Sequence, residues 1–454
     1  MSRVIKTSFL VMLCLTVLVS CDLINIDSEG VEQAASSQES TSDSSPLGNI
    51  LSPDKLEQIV GNPESNQSDS ADVGTSTVMK KMSAQDAQLL SSDGYMDGTD
   101  LGRTNSSNTV GLLNVEDLLW NFDAEAEITS TPIKTSNDSG ILFGDISGTF
   151  YSLNIDTGET NWEFQANGPI STTAAIAGNV VVFGSRDQNL YVLDTESGEL
   201  LWKFNAGGWI ESSPVISEGI VYFGSYDGNL YALDVLDGSI EWQYDAESVI
   251  AAAPSIGDAI IYFISDEGIL WALDIYTGRA KWNFKMYKDS PVLSEVVTET
   301  SAPIVLFDTV YASGLDGIVY AIDGRTGQQQ WVYKSETLLS LNLSGAEGLV
   351  FLVELAGSVT SLDALTGEKL WELSEYSAYN DPAFICGDQV YFGTTDGTIH
   401  TVGARLGEKN WEFKVLSGIN TYPSVYDGVL YVGSSDGHVY ALKGALGDAN
   451  PLQQ

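Results

Sequence analysis

Cysteine is nearly absent, with three in 454 residues, at positions 14, 21 and 386, so no disulfide framework can hold the folded part together. Histidine is scarcer still. His400 and His438 are the only two, and neither stands in the spacing of a zinc site or a catalytic triad. Bases are also few: 20 Lys and Arg face 62 Asp and Glu, for a formal net charge of −42. A surface of that sign repels phosphate backbones and anionic headgroups, which excludes nucleic acid as a partner. Loops of the Walker or Rossmann kind are missing as well.

The N-terminus reads as an address. Arg3 and Lys6 precede an apolar run, Phe9–Val19, which is too short to span a bilayer as a mature helix. It ends in Leu18-Val19-Ser20-Cys21, which resembles a bacterial lipobox. That resemblance implies that residues 1–21 are a lipoprotein signal segment cut just before its last residue, Cys21, which is lipidated, and that the protein is extracytoplasmic and anchored in a membrane. Asp22 leans toward inner-membrane retention where the enterobacterial sorting rule applies. Residues 22–115 are rich in Ser, Asp, Gln and Asn. Few of them can offset the entropy of ordering, so the segment is expected to be a disordered acidic tether. A helix over Met79–Leu90 is the weakest expectation within it.

The remainder is periodic. In the stretch Gly228-Asn-Leu-Tyr-Ala-Leu-Asp-Val-Leu-Asp-Gly-Ser-Ile-Glu-Trp-Gln-Tyr, period-two alternation flanks a glycine turn, the signature of a β-hairpin. The hairpin recurs ahead of Trp162, Trp202, Trp242, Trp282, Trp331, Trp371 and Trp411, spaced 40, 40, 40, 49, 40 and 40 residues apart. A fixed period of this size signals a repeat architecture. Each unit holds four short strands, in the third unit Ile210–Ile216, Ile220–Gly224, Asn229–Leu233 and Ile240–Tyr244. Glycine recurs between the third and fourth strands at 158, 198, 238, 278, 327, 367, 407 and 447. The Trp120 stretch is a last strand without its unit, and residues 422–442 are a unit without its last strand. Joined, they make an eighth. The expectation is an all-β, eight-bladed propeller over residues 116–447, closed by pairing the Trp120 strand with the C-terminal blade. Extra residues around Tyr287–Thr300 mark the enlarged loop, and 448–454 form a tail.

These units resemble the PQQ-type, tryptophan-docking propeller repeat. The fourth carries the motif as Ala272-Leu-Asp274-Ile-Tyr-Thr277-Gly278-Arg-Ala-Lys-Trp282, and the fifth as Ala321-Ile-Asp323-Gly-Arg-Thr326-Gly327 with Trp331. The resemblance implies that Trp120, Trp162, Trp202, Trp242, Trp282, Trp331, Trp371 and Trp411 dock blade to blade. Two functional classes use the repeat. Quinoprotein dehydrogenases hold PQQ and calcium in a central funnel. BamB-like lipoproteins are non-enzymatic scaffolds of outer-membrane β-barrel assembly, and the lipobox, tether and propeller resemble the second class. Quinoprotein dehydrogenases typically carry a disulfide of adjacent cysteines and long insertions, whereas the folded part here has Cys386 alone and mostly bare 40-residue spacing. The reading is therefore a non-catalytic scaffold with no cofactor and a protein partner in the cell envelope. The alternative is a quinoprotein-like propeller with PQQ or another small ligand in the funnel.

Other candidates have structural explanations. Asp194, Asp234, Asp274, Asp323 and Asp363 sit where an aspartate caps a turn. Cys386, in a strand-like run, reads as a buried thiol. His400 takes a place held elsewhere by Tyr or Trp and should be packed, while His438 is expected to be exposed. Trp209 opens a first strand after Gly207-Gly208 and is the candidate partner contact.

Overall fold

The computed structural model describes residues 101, 103–107, 110–286, 301–314, 316–335, 341–354, 357–374, 376–377 and 381–447. Cys21, the signal segment, the tether before residue 101, the Tyr287–Thr300 insertion and the tail lie outside them. Among the described residues every regular element is a strand, and no helix is long and apolar enough to cross a membrane. The strands form eight antiparallel four-stranded sheets, one of which gains a fifth strand. This is the expected eight-bladed propeller.

Each blade follows the sequence pattern. In the third, Val215–Ser217, Ile220–Gly224, Asn229–Asp234 and Ile240–Asp245 pair in order. The first strand is shorter than expected, because Pro214 ahead of it has no N–H to give to a ladder. The second strand is buried at almost every position, whereas the fourth alternates between exposed and half-buried residues. That gradient runs from the protected middle of a blade to its outer edge. The inner strands of neighbouring blades touch one another around the axis.

Apolar faces meet between blades. Val182 of the second blade and Phe223 of the third belong to one cluster, and seven similar clusters fill the other junctions. Tryptophan locks each junction. In the third blade the ladder shifts register between Ala232 and Leu233, opposite Trp242, and such a bulge re-aims the side chain. The Trp242 Nε1–H then donates to the Ile275 carbonyl of the next blade at 2.9 Å. Trp120, Trp162, Trp202, Trp282, Trp331 and Trp371 do the same to Ile155, Thr195, Val235, Gly324, Ala364 and Ala404 at 2.8–3.0 Å. Under each of those seven rings lies the turn glycine of the following hairpin. At Gly238, for example, φ is +72° and a Cβ would stand 2.8 Å from the Trp202 ring.

Closure differs in detail from the expectation. The strand β1 is Ser106–Ser107 and β2 is Leu112–Asp123. β2 pairs along His438–Leu446, with Trp120 opposite Ala441, across three register shifts. The boundary expected between 115 and 116 therefore falls inside β2, and Leu101 already bonds to the fourth blade, its carbonyl accepting from the Ile256 N–H. Gly447 is also not a docking glycine. It donates its N–H to the Gly111 carbonyl at 3.0 Å, while Trp411 donates instead to the Leu112 carbonyl at 2.9 Å. A unit whose outer strand arrives from the other end of the chain has no hairpin at that place.

Candidate functional site: a rim cluster around Trp209

Turns between second and third strands share one rim with the loops between blades, since Ala206 N–H donates to Gln188 O and Ile210 N–H to Ser185 O. Gly207 (φ +89°) and Gly208 carry one such loop hard against the next turn. A Cβ on Gly208 would stand 2.3 Å from the Asp227 backbone nitrogen, so only glycine passes there. The loop then presents Trp209, 47% exposed.

Three neighbours assemble around it. Arg186 lies over the indole with its guanidinium carbon 5.8 Å from the ring centroid, a cation–π geometry. Tyr226 packs at 5.5 Å between centroids and donates its N–H to the Trp209 carbonyl at 2.9 Å. Glu211 ties the group together, accepting from the Arg186 guanidinium and from the Tyr226 hydroxyl. Burial and the Glu211 charge push the Tyr226 phenol well above its ordinary range. Burial also raises the Asp266 carboxyl, with Glu211 adding to the effect. The result is a half-exposed Trp with an Arg and a Tyr held by a shared carboxylate, the residue types that dominate protein–protein hot spots. Trp209 was legible in the sequence as an oddity. Arg186 opens a turn in which Gln188 (φ +75°) stands where the matching turns of other blades have a positive-φ glycine such as Gly148 or Gly228.

A second feature is a polar cleft of about 440 Å³ on the seventh blade, lined by Tyr376, Asp396, His400, Glu412 and Lys414 among others. His400 stacks on Phe392 and lies 4.7 Å from the Tyr376 ring, as expected of a residue in an aromatic place. Burial lowers its pKa, against the opposing charge of Glu412 at 3.6 Å. His438 is less exposed than expected, at 23%, and sits 3.4 Å from Asp436. The turn aspartates cap as expected: Asp194 accepts from Ser197 N–H at 2.9 Å, Asp323 from Thr326 N–H and Asp363 from Thr366 N–H, both at 2.8 Å. Among the described residues no group of three or more His, Cys, Asp and Glu converges as a metal site. Cys386 is buried and carries no disulfide.

The third feature is the axis itself. There the carbonyls of Leu101, Thr104 and Asn105 accept from inner strands of three blades, and Arg103, Thr104 and Asn105 are buried.

The chain is thus a tryptophan-docked eight-bladed propeller. A family model described as outer membrane protein assembly factor BamB matches residues 106–210, 207–338 and 355–450, and the chain belongs to that family. Among solved structures, BamB from Moraxella catarrhalis superposes with a TM-score of 0.62 at 20% identity, over 72% of this chain and 99% of that one. Quinohemoprotein alcohol dehydrogenase from Comamonas testosteroni gives a TM-score of 0.67 at 15% identity, over 81% and 85%. The computationally designed Ika8 protein gives 0.61 at 20% identity, over 73% and 99%. At such identities the likeness establishes the fold alone. No curated protein matches the chain significantly.

Proposed function

We propose that this protein is a non-catalytic scaffold of the cell envelope, held to a membrane by lipid on Cys21 and binding a protein partner on the rim around Trp209. The family points to outer-membrane protein assembly as the setting. The observation that carries the reading is the rim cluster: Trp209 is 47% exposed, yet its position is fixed by Arg186, Tyr226 and Glu211. A pre-ordered aromatic anchor loses little conformational entropy on binding. Polar neighbours around it make a rim that excludes water at a contact.

In-cell cross-linking from position 209, followed by capture from fractionated membranes, tests this. Recovery of a barrel-assembly protein from the outer-membrane fraction is expected, and Trp209→Ala should abolish it. An inner-membrane location without such a protein overturns the assembly role. Dye-linked alcohol oxidation that appears when PQQ and Ca²⁺ are added overturns the non-catalytic reading and favours the quinoprotein alternative.

A further inference from the structure

The inner strands of a propeller leave their free edges facing the axis, a row of N–H and C=O groups open to a further strand. Here the N–H groups of Ile256, Gly345 and Ile385 donate to the carbonyls of Leu101, Thr104 and Asn105 at 2.6, 2.8 and 2.8 Å. The three donors hold the same place in their blades, facing Ile261, Val350 and Val390 of the adjoining second strands. The fourth, sixth and seventh blades therefore grip one segment at one level. β1 then adds in parallel to Phe384–Cys386, Ser106 beside Ile385 and Ser107 beside Cys386.

Arg103 reaches toward the third and fourth blades. Its Nε donates to the Pro254 carbonyl at 2.6 Å, and its Nη2 to the Ser213 and Pro214 carbonyls at 2.6 and 3.1 Å. Three carbonyls accept from two nitrogens of one planar cation, which matches the fixed fork of a guanidinium. Burial pulls the pKa of Arg103 down to about 10, so the group stays charged at neutral pH. Both Arg103 and Asn105 have φ of +52°, a left-handed backbone that non-glycine residues seldom adopt. External bonds hold the segment in that shape.

We propose that the axial channel is a binding site for an extended, arginine-bearing peptide, and that residues 101 and 103–107 fill it in cis. Strand addition to inner edges is indifferent to sequence, so selection rests on the carbonyl collar that takes the guanidinium. A cationic segment of a partner is the matching occupant in trans, drawn by a body belonging to a chain of net charge −42. Tethering gives the cis segment a high effective concentration, so a partner enters only where the cis segment is released. The proposal does not rest on the rim contact at Trp209.

The test uses the full chain, the Arg103→Ala variant, and a variant with residues 101–107 replaced by a Gly/Ser stretch of equal length. Hydrogen exchange is read at the Ile256, Gly345 and Ile385 amides. Calorimetry measures binding of a synthetic peptide spanning residues 101–107 and of its counterpart with alanine for the arginine. The natural protein should protect the three amides and ignore the peptide. The replaced variant should exchange them at least about tenfold faster, bind the peptide one to one, regain protection, and bind the alanine peptide about tenfold more weakly. Arg103→Ala should fall between the two.

Fast exchange at these amides in the natural protein overturns the proposal. So does unchanged protection in both variants, no peptide binding to a natively folded replaced variant, or equal binding of the two peptides. Loss of native circular dichroism in both variants makes the segment part of the folding core, and that also overturns it.

Discussion

Trp411 donates its indole N–H to the carbonyl of Leu112 at 2.9 Å, across 299 positions of chain. The Leu112 N–H in turn donates to the Tyr391 hydroxyl at 2.5 Å. One residue of the first long strand is thus held on both sides by the seventh blade, and the ring closes through these bonds as well as through the ladder. Trp411→Phe and Tyr391→Phe should each lower stability by about 1 kcal/mol, the usual net worth of a buried hydrogen bond. Urea denaturation followed by tryptophan fluorescence checks this. No change in midpoint for either variant would mean that the ladder alone closes the ring.

The glycine under each ring predicts a matched pair. Gly238→Ala both strains a left-handed backbone and drives a methyl into Trp202, and it should cost about 2–4 kcal/mol. Gly219→Ala, at φ +79° with nothing within 4 Å of the added methyl, should cost only the backbone share, about 1–2 kcal/mol. Equal losses in thermal denaturation would show that the ring contact is compliant.

Acid should weaken the fold in two steps. Burial lowers the His400 pKa, so the folded form resists protonation. Its contribution is intact above the ordinary histidine value of about 6.5 and declines as pH falls below it. The charges facing it are Glu412, Asp396, Lys409 and Lys414. His400→Tyr, the residue used at this place in other blades, should flatten the stability profile below pH 6.5. The second step includes Asp396, which bonds to Thr394 hold down to about 2, together with turn aspartates such as Asp323 and Asp363 that are also held below their ordinary value. This stabilisation is present above the unfolded value of about 3.9 and is lost as pH drops toward 2. A profile of His400→Tyr that still slopes between pH 6.5 and 5 would assign that slope to another group.

Salt should act in the opposite sense to acid. With a net charge of −42, like-charge repulsion opposes the compact state and is screened over about 8 Å at physiological ionic strength. Melting temperature should rise between 10 and 500 mM NaCl. A fall would assign the dominant role to attractive pairs such as Arg325 with Asp258 at 2.7 Å.

At the rim, Trp209→Ala should leave the melting temperature nearly unchanged, because the indole is half exposed and its loop conformation is set by Gly207 and Gly208. Stability within about 0.5 kcal/mol of the natural protein is expected. A larger loss would identify Trp209 as a packing residue and remove it as a partner contact.

The blades were legible because their information is carried by side chains: alternating apolar residues, a glycine that must adopt positive φ, and a tryptophan at fixed spacing. The closing strand was legible for the same reason, through Trp120. The segment before it was not. Arg103, Thr104, Asn105, Ser106 and Ser107 lack apolar alternation, and their main-chain partners are inner-strand amides that no side-chain pattern reveals. Gly447 fits the period, but the strand that would follow it is supplied by β2, as the missing last strand of that unit led one to expect. The rim cluster was half visible, since Trp209, Glu211, Arg186 and Tyr226 come from loops of different blades that only the ring brings together.

Ring closure also sets a schedule for folding. A ribosome adds roughly 5–20 residues per second, so β2 precedes its partner strand by about 15–60 s of synthesis. Throughout that interval its edge is open, with Leu113, Leu118 and Leu119 beside Glu116 and Asp117. Seven blades can form in sequence behind it, but the eighth waits for His438–Leu446. The strand His438–Leu446, far along the chain, therefore determines when the edge of the first long strand is covered.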